Sequence, residues 1–150
     1  MSELKDRLRS DLTASMKARE KVRTATLRMV LAAISTEEAA GSTQRSLSDD
    51  EVTKLLVRET KKRREAAEAF DKGGRVDDAA NERAESEILS DYLPKPLTDE
   101  ELSQLVAAAI AETGASGMKE MGKVMKVVNS QVAGRADGAR VAAEVKSRLA

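Results

Sequence analysis

The sequence predicts an all-α protein: an N-terminal bundle of about four helices over residues 1–94, then a three-helix unit over 95–150. Two observations carry this expectation. Aromatic residues are nearly absent, with one Phe (Phe70), one Tyr (Tyr92) and no Trp in 150 residues, so apolar content rests on Ala, Leu, Val, Ile and Met. That usage, with 35% charged residues and two prolines, suits helices and suits sheets badly. The apolar residues also recur at three- and four-residue spacing, and no strand-like alternation is convincing.

The first helix is expected from Ser2 to Ala18, with Leu4, Leu8, Leu12 and Met16 every fourth residue. The second covers Glu20 to Ala40 and sets Val22, Thr26, Met29, Val30, Ala33 and Ile34 on one side. Gly41-Ser42-Thr43 ends it. Ser48-Asp49-Asp50-Glu51 reads as a capping box opening the third helix: the serine oxygen takes one unpaired backbone N–H, and Glu51 reaches back to another. Val52, Leu55 and Leu56 begin its buried face, and Ala66, Ala69 and Phe70 are expected to resume it. Gly73-Gly74 supplies the stop.

The fourth helix, Val76 to Leu93, sets Ala80, Ala84, Ile88 and Tyr92 four apart. Pro94 disfavours helix at Leu93, and Pro96 stiffens the chain, so 94–97 reads as a domain linker. Thr98-Asp99-Glu100-Glu101 is a second capping box. The fifth helix, to about Thr113, should bury Leu102, Leu105, Val106, Ala109 and Ile110. Met118, Met121, Met125, Val128 and Val132 are spaced 3-4-3-4 on the sixth, a pattern that reads as core, with Val124 beside them. The seventh, from about Asp137, offers Val141, Val145 and Leu149.

Without cysteine or histidine the chain has no thiolate nucleophile, no disulfide and no histidine base, and Cys/His metal sites are excluded. No P-loop, GxGxxG or nucleophile elbow occurs, and no carboxylate pair stands out as catalytic. No catalytic residue, metal or cofactor is therefore expected. The start, MSELKDRLRSDL, lacks a secretory apolar core, and the run LVAAAIA is far too short to cross a bilayer. The expectation is a soluble cytoplasmic protein without membrane insertion.

Twenty-six basic residues balance 26 acidic ones, yet they are unevenly placed. Residues 1–36 and 52–75 each carry eight Lys/Arg against four Asp/Glu, residues 76–101 carry two against nine, and residues 115–150 carry seven against three. Either the basic segments face an anionic partner, or they pair with the acidic fourth helix. In TKKRRE, four consecutive cations spread around the helix, so about half of Lys61, Lys62, Arg63 and Arg64 can face one partner. Arg58 with Lys61 or Lys62, and Lys54 one turn earlier, make a candidate stripe. Arg19 and Arg23, four apart, should share a face of the second helix, with Arg28 offset from it.

The stretch MGKVMKVVNSQVAGRADGARV raises the sharpest question. Gly134 falls just past the sixth helix, where a left-handed cap is wanted, and Asp137 stands where a carboxylate caps the seventh. GRADG is thus first a helix-to-helix joint. Lys119, Lys123, Lys126, Arg135 and Arg140 also lie near it, and helix N-termini attract phosphate, although Asp137 would compete for those amides.

Taken in order, TLRMVLAAI, KKRREAAEAF, ILSDYLPKPLTDEEL, MGKVMKVV and GRADG closely resemble the stand-alone GatB/YqeY proteins over about residues 4 to 149. PKPL departs slightly from the PxQL that the resemblance leads one to expect. The resemblance implies an N-terminal helical bundle and a three-helix unit similar to the tail of the B subunit of glutamine-dependent tRNA amidotransferases. A similar module is attached to some glutaminyl-tRNA synthetases. The family carries a label of carbon–nitrogen ligase activity with glutamine as amide donor, which describes the complex; this chain lacks the catalytic parts.

Carried over by position, the tail motif covers Met121, Gly122, Lys123, Val124 and Met125, then Gly134, Arg135, Ala136, Asp137 and Gly138. The resemblance implies tRNA contact, for which Lys123, Lys126, Arg135 and Arg140 are the candidates, with Arg63 and Arg64 as outlying ones. Contacts of this kind neutralise phosphates and read shape, and the scarcity of aromatics argues against stacking on unpaired bases. The alternatives are a protein-interaction module docking on an amidotransferase, synthetase or other assembly without RNA contact, and an enzyme in its own right.

Overall fold

Seven α-helices and one short 3-10 turn make up the computed structural model, which describes residues 2–150, and no strand occurs among the described residues. The helices are α1 (Glu3–Lys17), α2 (Lys21–Glu38), α3 (Asp49–Lys72), α4 (Val76–Ser90), α5 (Asp99–Thr113), α6 (Met121–Val132) and α7 (Gly138–Leu149). The 3-10 turn is Met118–Glu120. Contacts divide the chain into two compact units, one ending at Leu93 and the other spanning Pro94–Ala150.

In the first unit, α1 to α4 surround Leu8, Leu27, Val30, Ile34, Leu47, Val52, Leu55, Leu56, Leu89 and Tyr92. Ser2 caps α1 by accepting from the Lys5 N–H at 3.0 Å, and its hydroxyl donates to Asp49 at the start of α3. Asp49 also accepts the Leu4 N–H at 3.2 Å, so two helix starts are tied together. The α3–α4 turn is closed by the Arg75 N–H on the Phe70 carbonyl at 2.8 Å. Gly74 holds a φ of +75° there, which glycine adopts without strain.

On α1 and α2 most of each expected stripe packs inward, Leu8, Thr26, Val30 and Ile34 among it. The stripes of α4 and of the second half of α3 are rotated from those the spacing alone suggested. Met16, Val22 and Met29 are exposed, while Leu8 and Ser15 of α1 and Thr26, Leu27, Val30 and Ile34 of α2 are buried. Thr26 can sit in the core because its hydroxyl donates to the Val22 carbonyl at 2.8 Å. On α3 the buried line runs Val52, Leu55, Leu56, Thr60, Arg63 and Ala67, where Ala66, Ala69 and Phe70 were expected. On α4 it is Ala79, Ser86 and Leu89, with Ala80 exposed. That helix stops at Ser90, three residues short of the expected end, and single turns carry Tyr92 and Leu93 toward Pro94. Arg19 lies outside any helix, in the α1–α2 turn at φ +60°, and so shares no helical face with Arg23.

The second unit packs α5, α6 and α7 around Leu97, Leu102, Val106, Ala109, Val124, Val128, Val132, Val141, Val145 and Leu149. Val124, Val128 and Val132 line the buried side of α6. Met121 and Met125 pack at its margin, and Met118, expected in the core, is 44% exposed on the 3-10 turn. The methionine reading is corrected accordingly: the valines bear the burial, because the 3-10 turn breaks the helical phase ahead of Met121.

Both capping boxes are formed, with Ser48 accepting from Glu51 and Thr98 accepting from Glu101, and each glutamate returning to its cap residue. Each also follows a buried leucine. Leu47 precedes Ser48 and shares a core with Val52; Leu97 precedes Thr98 and shares a core with Leu102. An apolar residue before the cap and one four after it form a hydrophobic staple, which fixes the angle at which the chain enters the helix.

Candidate functional site

The GRADG joint is buckled to the proline-flanked segment. After α6 ends, Ala133 (φ +49°) and Gly134 (φ +80°) both take the left-handed conformation and turn the chain back. That turn brings the Arg135 carbonyl to the Leu97 N–H at 2.8 Å. Arg135 Nε donates to the Lys95 carbonyl at 2.8 Å, and Arg140 Nη1 donates to the Leu97 carbonyl at 2.8 Å. Residues 94–97 carry backbone groups with no helical partner, and the two arginines satisfy two of those carbonyls. The side chain of Leu97 is meanwhile sunk in the core.

The charged ends of both arginines have partners as well. Arg140 Nη2 lies 2.6 Å from Asp99 Oδ1, and Arg135 Nη2 lies 3.6 Å from Glu101 Oε2. Glu101 also accepts the Thr98 N–H at 3.2 Å, and these donors hold its carboxyl below the usual range, the Thr98 backbone first. Asp137 caps α7 by accepting the Ala139 N–H at 3.3 Å. Asp99, Glu101 and the carbonyls of Lys95 and Leu97 were not foreseen as partners of the joint, although unpaired carbonyls beside two prolines were the available signal.

The lysines differ. Lys119, Lys123 and Lys126 are exposed and make no hydrogen bond or ion pair among the described residues. Lys123 and Lys126, three apart, share one side of α6, and Lys119 precedes them on the 3-10 turn. Gly122 sits among them, and a Cβ there would meet nothing within 4 Å, so its bareness is not required for packing. The same holds for Gly138 at the start of α7. Met121 lies at the core margin beside this row.

In the first unit, Arg63 is corrected from an outward cation to a buried one, 6% exposed. Its Nη1 donates to the Glu59 carbonyl at 2.9 Å and to Glu59 Oε2 at 2.7 Å, its Nη2 reaches the Met29 sulfur at 2.9 Å, and its Nε lies 3.3 Å from Glu85 Oε2. Burial, followed by the neighbouring Glu82, raises the Glu85 carboxyl above its ordinary value, and Arg63 opposes them. Arg64 is exposed, one position round the helix. Of the remaining cations, Arg58 pairs with Glu37 at 3.0 Å and Arg23 with Asp91 at 4.0 Å. Glu85 of the acidic fourth helix thus takes up Arg63, and Asp91 just past its end lies near Arg23.

Tyr92 ties the segment after α4 to α1. Its hydroxyl donates to Asp11 at 2.5 Å, and the Arg7 guanidinium lies 4.6 Å from its ring centre. Burial and then the Asp11 carboxylate push the phenol up to about 12. No group of three or more His, Cys, Asp or Glu able to hold a metal occurs among the described residues. No described helix is long and apolar enough to cross a membrane.

An all-helical chain whose signature motifs fasten one another is a helical module. A family model described as Yqey-like protein matches residues 5–149, and the chain belongs to that family. It is 30% identical over 129 residues to "Altered inheritance of mitochondria protein 41, mitochondrial" of Clavispora lusitaniae, covering 84% of this chain and 74% of that protein. It is 35% identical over 88 residues to an uncharacterized protein of Schizosaccharomyces pombe, covering 59% of this chain and 70% of that one.

Proposed function

We propose that the chain is a non-catalytic helical module that binds folded RNA of the tRNA class through the lysine face of α6, with residues 95–150 acting as the RNA-facing domain. The observation that carries this reading is the row Lys119, Lys123 and Lys126: three exposed, unpartnered cations in one short segment, two of them sharing a side of α6. Cations of this kind neutralise backbone phosphates without reading bases. Gly122 leaves the backbone bare among them. Arg135 and Arg140 serve this face indirectly, by holding the joint.

The test is binding of purified tRNA at two salt concentrations by the wild type and by a Lys119/Lys123/Lys126→Gln variant. The variant should bind at least tenfold more weakly, and the slope of log affinity against log salt should shrink by about 2–3 for three lost phosphate contacts. Equal binding by the two proteins would remove α6 as the RNA face.

One observation favours a docking reading. Met118, 44% exposed, adjoins the lysine row and offers an apolar anchor to a protein surface such as that of an amidotransferase or synthetase. A partner retained through high salt and lost on Met118→Ser would favour it.

A further inference from the structure

The first unit has a polar pocket of about 460 Å³ framed by Lys5 and Arg9 of α1, Ser35 and Glu38 of α2, and Gln44, Arg45 and Ser46 of the α2–α3 connection. Lys5 is paired with Glu38 and Arg45 with Glu51, so Arg9 is the cation of the wall left without a partner among the described residues. The carboxylate is fully engaged: Glu38 Oε1 meets Lys5 Nζ at 2.6 Å, and Oε2 accepts the Leu47 N–H at 2.9 Å. Lys5 first, then that N–H, hold its carboxyl below the ordinary range, so it stays ionised and paired.

The frame is fixed by the fold. Buried Leu47 anchors the connection, the Arg45 N–H closes on the Glu38 carbonyl at 3.1 Å, and Arg45 Nη1 is held by Glu51 at 2.7 Å. What remains unengaged is a set of donors. Arg9 feels the Glu38 charge but makes no side-chain hydrogen bond or ion pair among the described residues. The same is true of the side-chain hydrogen bonds of Ser35, Gln44 and Ser46. Lys5 and Arg9, four apart on α1, face the same side.

We propose that this pocket binds a phosphate-bearing small molecule, its oxyanion held by the Arg9 and Arg45 guanidinium groups and oriented by Ser35, Gln44 and Ser46. Arg9 is unpartnered among the described residues and Glu51 occupies only Nη1 of Arg45, so the two guanidinium groups can hold two oxygens of one anion. Guanidinium forks suit its paired oxygens. The volume falls within the range of small-molecule sites, about 300–1,000 Å³. No aromatic side chain lines the pocket, so stacking of bases has no platform there.

Calorimetric titration with inorganic pyrophosphate tests the site without assuming the natural ligand. The wild type should bind it saturably at one site. Arg9→Gln should weaken binding at least tenfold and Gln44→Ala severalfold, with circular dichroism showing both variants folded. The Lys119/Lys123/Lys126→Gln variant, which tests the RNA face, should bind pyrophosphate as the wild type does. Absence of saturable pyrophosphate binding, or equal binding by Arg9→Gln, would overturn the proposal. So would a pocket that responds only to added tRNA, which would make it a nucleic-acid backbone contact.

Discussion

Arg140 donates from Nη1 to the Leu97 carbonyl at 2.8 Å and from Nη2 to Asp99 at 2.6 Å, joining the seventh helix to the segment that leads into the fifth. Those two bonds use both arms of one planar group, a geometry that a lysine ammonium cannot reproduce. Arg140→Ala should therefore lower the stability of the second unit by about 1–3 kcal/mol, the range for a charged hydrogen bond lost from a partly buried carbonyl. Arg140→Lys should recover less than half of that in urea unfolding. Folded Arg140→Ala should keep most of its tRNA affinity, since the lysine row is untouched. A loss equal to that of the lysine variant would instead put Arg140 on the RNA surface.

Arg63 stands against Glu59 and Glu85 in the first unit, and its removal strands two carboxylates in a confined space. Arg63→Ala should cost about 3–5 kcal/mol by thermal or chemical unfolding. The deficit should depend on pH. The Glu85 carboxyl already titrates above 4.5 when folded, and loss of Arg63 would raise it further. A folded value above the unfolded one means that the cost belongs to the ionised form, so it fades as pH falls through the folded value. The variant should lag the wild type most at neutral pH and least in mild acid. A deficit independent of pH would exclude Glu85 as its source.

Tyr92 is the sole tyrosine, so its ionisation can be followed by ultraviolet absorbance without interference. The folded protein should titrate near 12 rather than 10.0. Because the folded value lies above the unfolded one, the stability linked to the neutral phenol is complete below pH 10 and declines as pH rises from 10 toward 12. Tyr92→Phe should be less stable at neutral pH by about 1 kcal/mol through loss of the hydrogen bond to Asp11. It should also lose this alkaline step. A midpoint at 10 in the folded state would show the hydroxyl to be solvated.

Ala133 and Gly134 occupy neighbouring left-handed positions, at φ +49° and +80°. Substitutions at the two should act in opposite directions. Gly134→Ala should destabilise by about 1–2 kcal/mol, the cost of a Cβ in that conformation. Ala133→Gly removes the same strain but loosens the unfolded chain, so it should be neutral or stabilise by up to about 1 kcal/mol. Melting temperatures of the two variants settle the comparison.

The all-helical class was legible because apolar residues at helical spacing, two capping boxes and scarce aromatics agreed with one another. Phase within each helix was harder to read. Arg63 was grouped with its basic neighbours, yet Leu56, Thr60, Arg63 and Ala67 keep a four-three-four spacing that continues the buried line of α3. The pattern was present, but the charge obscured it, since nothing local shows that Glu85 waits on another helix. Met16, Val22 and Met29 misled for the converse reason. They are apolar and correctly spaced, but they lie at the margin of stripes whose other members, Leu8, Thr26, Val30 and Ile34, turn inward. At the joint, Asp137 could be read as a cap from position alone. The grips of Arg135 and Arg140 on residues 95–101 span about forty positions, which no local rule reaches.

The two staples, Leu47 with Val52 and Leu97 with Leu102, bear on how the chain finds its shape. Each joins a capping box to a pair of leucine or valine side chains within six residues, so it closes with little loss of chain entropy. Each unit thus holds its own early seed, at the start of α3 and of α5. A chain emerging from synthesis could order its first ninety residues before the rest exists, then begin again after Pro96 from a second, self-sufficient start.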